Sequence, residues 1–291
     1  MILLRTLVAS LIFTAAAAPA LAQDYAAPMN AAGQPDLSGH WTNASSTLLE
    51  RDPRFGERIT MSDEEAAALP RNSGQMTVGG KVRTSFLVAP ADGQLPNLTP
   101  AARAKLEDRR AEFPRGLGFG RGDNPESMTL AERCLRDFGS SLGPPMMPVG
   151  YNNTYQIVQT GDHVMILVEM IHDARIIPIG GKHRPDAIRS WMGDSAGHYE
   201  GGTLVVETTN FRPGLAFRGA PEDITLIERF TRVSDTQILY AFEINEPDVF
   251  TAPIRAEIAL NATKGPVLEY ACHEGNYSFG NQLQTQRLAE D

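Results

Sequence analysis

Residues 225–245 read TLIERFTRVSDTQILYAFEIN. In an extended chain successive side chains point to opposite faces. Leu226, Glu228 and Phe230 therefore share one face, and Arg229 lies on the other. The pattern breaks at Ser234-Asp235-Thr236 and resumes over Gln237–Asn245. Two alternating runs joined by so short a turn form a hairpin, and a hairpin makes its strands antiparallel.

Working outward, the same texture recurs. Strands are expected at Thr154–Thr160, His163–Ile171, Arg175–Ile179, Gly197–Gly201, Thr203–Thr209, Thr225–Val233, Gln237–Asn245, Arg255–Asn261 and Val267–Cys272. Gly161-Asp162 and Gly201-Gly202 supply further tight turns. Strand–helix alternation is missing, which argues against a parallel α/β fold. The reading is a mainly β protein, an antiparallel meander closing into a barrel or a strongly curved sheet, since closure removes exposed edges.

The strand faces are uneven. Leu204, Val206 and Thr208 oppose Thr203, Val205, Glu207 and Thr209. Ile254, Ala256, Ile258 and Leu260 oppose Arg255, Glu257 and Asn261. Polar residues facing water explain this simply. The alternative is a partly polar lumen in which Glu207, Glu228 and Arg229 surround a ligand.

Residues 23–150 are richer in Pro, Gly and helix signals. Ser62 and Glu65 form a capping-box pattern, with Pro70 as the stop. Thr99-Pro100 opens a second helix to about Phe113, and Thr129 with Glu132 opens a third that Gly139 would end. These pieces are expected to decorate a β core formed by residues 151–291.

Residues 1–22 have the layout of a secretory signal peptide: Arg5, an uncharged apolar run over Leu7–Ala18, and small residues before a cleavage point after Ala22. The expected product is periplasmic or secreted and contains no membrane span, because no later stretch approaches about 20 apolar residues. In an oxidising compartment the two cysteines, Cys134 and Cys272, are expected to pair rather than remain free thiols. Closing so long a loop is worth up to about 5 kcal/mol by chain entropy.

The chain has 291 residues, with 26 basic and 35 acidic side chains and a formal charge of −9. That balance argues against nucleic acid or anionic lipid as the main partner. Two cysteines exclude a four-cysteine zinc site. A nucleophile elbow, an HExxH helix and a phosphate-binding loop are all missing. Sequons occur at Asn43, Asn97, Asn152, Asn261 and Asn276, and matter only in a host that glycosylates.

Three polar segments remain. Glu169–Arg175 sets His172, Asp173 and Arg175 beside an apolar strand. Tyr270–Tyr277 contains His273, Glu274, Asn276 and Tyr277 next to Cys272. Asp194–Gly201 contains Asp194, His198 and Glu200. A histidine beside a carboxylate is a candidate general base, and an arginine can hold an anion. The expected catalytic set is thus His172, Asp173, Arg175, His273 and Glu274. Ligand contacts are assigned to Asp194, His198, Glu200, Glu207, Glu228, Arg229, Asn276 and Tyr277. His172 and Asp173 are adjacent, so they can serve one site only if the chain turns there. A buried polar network without chemistry is the competing reading. Neither cofactor nor metal is expected, since no paired His spacing marks a metal site. The function expected is a small-molecule pocket, with hydrolase, lyase or isomerase chemistry on a small organic or carbohydrate-like molecule. The alternative is a binding protein without catalysis.

PDLSGHW (35–41), ERCL (132–135), YNNTYQIVQT (151–160), EMIHDARIIP (169–178), GDSAGHYEGGTLVVETTNF (193–211), ERFTRV (228–233) and YACHEGNY (270–277) resemble an uncharacterised family of exported bacterial proteins. Tyr199 stands where that pattern has Trp. This resemblance transfers no catalytic residue. Gly39-His40-Trp41 is similar to the GxW of lipocalins and other calycins, whose Trp closes one end of a barrel. That likeness implies a calycin-like barrel and a carrier of small ligands.

Overall fold

The computed structural model describes residues 25–112, 125–136, 143–212, 217 and 224–288. The leader expected over residues 1–22 lies outside them, as does the helix stop expected at Gly139. Among the described residues twelve strands form: β1 (Gly39–Thr42), β2 (Thr77–Val78), β3 (Lys81–Val82), β4 (Leu87–Ala89), β5 (Thr154–Gln159), β6 (His163–Val168), β7 (Ala174–Pro178), β8 (Asp194–Glu200), β9 (Thr203–Thr209), β10 (Leu226–Ser234), β11 (Gln237–Ile244) and β12 (Ile254–Ala262). Three α-helices accompany them among the same residues: α1 (Asp63–Ala67), α2 (Pro100–Glu112) and α3 (Tyr277–Leu288).

Nine strands run side by side in the order β7-β6-β5-β1-β12-β11-β10-β9-β8, every neighbour antiparallel. The two end strands meet, so the sheet is a nearly closed barrel. Among the described residues their backbone pairing is one parallel bridge, Ile179 to Gly197, with the Gly180 N–H donating to the Gly197 carbonyl at 2.7 Å. The chain links β7 to β8 by a crossover, residues 179–193, as two parallel strands require.

Alternation fills the interior. Trp41, Tyr155, Ile157, Ile166, Ile177, Leu204, Val206, Leu226, Phe230, Tyr240, Phe242 and Ile258 all point inward and are buried. Phe230 and Tyr240 pack ring against ring at 5.0 Å. The Trp41 indole N–H donates to the Leu37 carbonyl at 2.9 Å, and the Arg232 guanidinium covers its ring.

The outer faces of β11 and β12 are covered too. Leu239 and Ala259 are buried there, beneath residues 76–89. The Glu257 N–H donates to the Phe86 carbonyl at 2.9 Å, and the buried Arg83 guanidinium pairs with the Glu257 carboxylate. The first half of the chain therefore packs on the β core, and it also enters the wall.

Three departures from the sequence reading have clear causes. β1 inserts between β5 and β12, with Trp41 opposite both Tyr155 and Ala262. Residues 267–272 form no strand, because β1 and β4 already occupy the free edge of β12. The Thr129 hydroxyl accepts from the Glu132 N–H and the Glu132 carboxylate from the Thr129 N–H, both at 2.9 Å, yet only a turn follows. The box at Ser62 and Glu65 does cap a helix, α1.

Cys134 and Cys272 form the expected disulfide, with their Cα atoms 5.8 Å apart.

Candidate functional site

The site is built around Arg175. β7 alternates, so Arg175 and Ile177 point inward while Ala174 and Ile176 face out. A buried guanidinium needs a counter-charge. It finds one in Glu228, carried on the same face of β10 as Leu226 and Phe230. Nη1 donates to one carboxylate oxygen at 3.1 Å and Nη2 to the other at 2.5 Å. Nη2 also reaches the hydroxyls of Ser195 at 3.2 Å and Thr208 at 3.3 Å. The Tyr240 hydroxyl donates to Glu228 at 2.8 Å and accepts from the Met146 N–H at 2.9 Å. Burial, with the Glu228 charge second, pushes the Tyr240 phenol well above its ordinary value.

Beside this network the wall opens. Where β7 and β8 part, they leave a cleft of about 550 Å³ floored by Arg175 and Ser195. Lys182, Arg184, Trp191 and Met192, all on the crossover, form its roof. Asp194 ties the crossover down. It accepts from the Arg184 N–H at 2.8 Å, from Arg184 Nε at 2.5 Å, and lies 3.0 Å from His183 Nδ1. Burial pushes the Asp194 carboxyl up, but Arg184 and His183 together outweigh it and hold it below its ordinary value. The other ring nitrogen of His183 lies 3.0 Å from Glu207. A neutral ring has one N–H and can donate to only one of these carboxylates.

The sequence-predicted residues separate into groups. Asp173, Arg175 and Asp194 line one cleft, with Glu228 behind Arg175. Glu207 joins them through His183. The chain does turn at His172, where Ile171 and His172 both have positive φ. That turn leaves His172 and Asp173 exposed, and Asp173 accepts from the Ala174 N–H at 2.8 Å. Arg229 faces away from Glu228, with Nη1 buried and without a hydrogen-bond partner among the described residues. His198 and Glu200 pair with each other at 3.0 Å on the exposed face of β8.

The C-terminal group lies elsewhere. Asn276 donates to the Glu132 carbonyl at 2.6 Å and touches Cys134 Sγ at 3.4 Å. It lines a second cleft, about 510 Å³, together with Cys272 and Tyr270. His273, Glu274 and Tyr277 are exposed. Among the described residues, no group of three His, Cys, Asp or Glu side chains is arranged to hold a metal ion.

His183 escaped the sequence reading. Its carboxylate partners stand 11 and 24 residues further along, so no local motif marks it. The chain matches no known protein family, no curated protein and no solved structure.

Proposed function

We propose that this chain is an exported protein that holds a small organic molecule in the cleft between β7 and β8, as a lipocalin-like binding protein does. The parting of the wall over Arg175, roofed by the crossover, is the observation that carries this reading. Ligand pockets are concave sites with apolar walls and a few fixed polar groups. Here Trp191, Met192 and Ile176 offer the walls, and Ser195 and Arg175 the fixed groups. The interior of the barrel is filled by side chains, which favours the seam over the lumen as the binding place. Export agrees with the Cys134–Cys272 disulfide, since such bonds persist in oxidising compartments. It also agrees with the exported family whose motifs the chain resembles.

The test is a fragment screen by NMR on the secreted, 15N-labelled protein. Amide shifts confined to residues 173–176 and 190–195 are the expected result. Shifts confined to the cleft beside Cys272 would overturn the assignment. N-terminal sequencing of exported protein should begin at Gln23; retention of residues 1–22 would overturn the export.

His183 favours a second reading, acid/base catalysis at the same cleft. Its sequence neighbours Lys182 and Arg184 line the cleft, and Asp194, which also lines it, orients its ring. Loss of one compound from a metabolite pool, abolished by His183→Ala, would establish this chemistry. An unchanged pool would sink it.

A further inference from the structure

We infer that the seam cleft takes a secondary amide, held by backbone groups that the sheet leaves unpaired. This rests on the binding reading above and narrows it to one chemical class. Charge does not choose the ligand. Lys182 and Asp173, both exposed, line the cleft with opposite signs, while Arg175 is answered by Glu228 and Arg184 by Asp194. Selection falls to the uncharged groups on the two strand edges.

The β6–β7 register sets which way the β7 backbone faces. The Val168 N–H donates to the Asp173 carbonyl and the Ile179 N–H to the Asp162 carbonyl, both at 2.8 Å. In an antiparallel ladder such hydrogen-bonded pairs recur at every second residue. Arg175 and Ile177 therefore turn their backbone groups to β6, and Ile176, Pro178 and Gly180 turn theirs to β8. The bond from the Gly180 N–H to the Gly197 carbonyl is the first rung across the seam. Two residues before Gly197, the Ser195 carbonyl faces β7 as well. Its donor on the next rung would be the N–H of residue 178. That residue is proline, which has none. One rung further, the Ile176 N–H would donate to the Gly193 carbonyl. Gly193 instead turns back on Ser190, accepting from its hydroxyl and donating to its carbonyl at 3.1 Å. Among the described residues, the ladder thus leaves the Ser195 carbonyl and the Ile176 N–H unpaired. Ile176, Pro178, Gly193 and Ser195 all line the cleft, so the cleft begins where the ladder stops.

One edge offers a lone donor and the other a lone acceptor. Backbone groups of this kind are strong hydrogen-bonding sites that call for a partner. A secondary amide carries an N–H and a C=O directed oppositely, and answers both edges at once. Extended peptides add to sheet edges through the same pair of bonds. An ester or a tertiary amide has no N–H and leaves the Ser195 carbonyl unanswered. Trp191 supplies a fixed wall for an apolar substituent. Arg136 Nη1 donates to its carbonyl at 2.7 Å, and the Arg212 guanidinium lies 4.9 Å from its ring centroid. A rigid aromatic costs little ordering on binding.

Acetanilide is the probe, with phenyl acetate and N-methylacetanilide as controls of similar size that lack the N–H. Binding is followed by the Trp191 indole N–H shift in the exported protein. Acetanilide is expected to bind, and both controls to bind about tenfold more weakly. Pro178→Ala supplies the missing donor. The new N–H at position 178 should be protected from hydrogen exchange, and acetanilide should weaken by about tenfold or more as the ladder closes over its site. Equal binding of all three probes to the wild type would overturn the amide and leave the cleft standing. Failure of all three to move the Trp191 signal would overturn both the amide and the cleft. Free exchange at position 178 with unchanged acetanilide affinity would overturn the role given to Pro178.

Discussion

Arg175 on β7 and Glu228 on β10 meet through a two-point contact across the barrel interior, at 3.1 and 2.5 Å. The pair is buried on every side, and breaking it would leave one charge without a partner. Arg175→Met should destabilise the fold by about 3–5 kcal/mol, measured by urea unfolding. The double variant Arg175→Met, Glu228→Leu should lose less than the sum of the two singles. Additive losses would mean that the two side chains do not act as a unit.

Asp194 predicts a pH response in the crossover. Its folded carboxyl titrates below the ordinary aspartate value of 3.8, because Arg184 and His183 favour the charged form more than burial opposes it. A depressed acid contributes stability above its unfolded value and loses it as pH falls through its folded value. The gap in urea midpoint between wild type and Asp194→Asn should therefore be constant near neutral pH. It should close as pH falls below the ordinary aspartate value of 3.8 and through the lower folded value. A gap that persists at the acid end would rule Asp194 out as the source.

The disulfide predicts a stability loss without a change of fold. Replacing both Cys134 and Cys272 by Ser should cost about 2–5 kcal/mol, read from the thermal midpoint. The far-ultraviolet spectrum should stay that of a β protein, since the nine-stranded wall contains neither cysteine. Thiol titration of the unreduced protein should find none.

Gly193 closes the crossover at φ +71, and a Cβ there would stand 2.7 Å from both Thr208 Cγ2 and the Thr209 carbonyl oxygen. Gly193→Ala should cost about 1–3 kcal/mol through strain at this backbone position, with crowding added to it. At Gly202 a Cβ meets nothing within 4 Å, so Gly202→Ala should stay within about 0.5 kcal/mol. Equal effects at the two positions would refute the steric account.

Much of the barrel was legible because its strands alternate. The face shared by Leu226, Glu228 and Phe230 was readable, and it is the interior face. Arg175 and Glu228 were each singled out from their segments, but their pairing was not, since 53 residues separate them and only closure brings them together. β1 was hidden for a similar reason: Gly39–Thr42 is too short to show a period, and its place is set by the vacant position between β5 and β12. Residues 267–272 have strand composition but no edge to pair with. The local chemistry of Tyr270–Tyr277 was visible, but its remoteness from Arg175 was not, because adjacency in sequence says nothing of distance across a barrel.

Among the described residues the wall contains an odd number of strands, nine. Direction reverses at every antiparallel step, so an even ring can close with hairpins alone, whereas an odd ring must contain one mismatched joint. That parity requires one parallel joint, and the chain sets it between β7 and β8. It also forces the chain to make its long detour at that joint. The weakest stretch of wall and the loop able to carry Lys182, His183, Arg184 and Trp191 over it are thus one consequence of counting. Deleting or adding a single strand would remove both together.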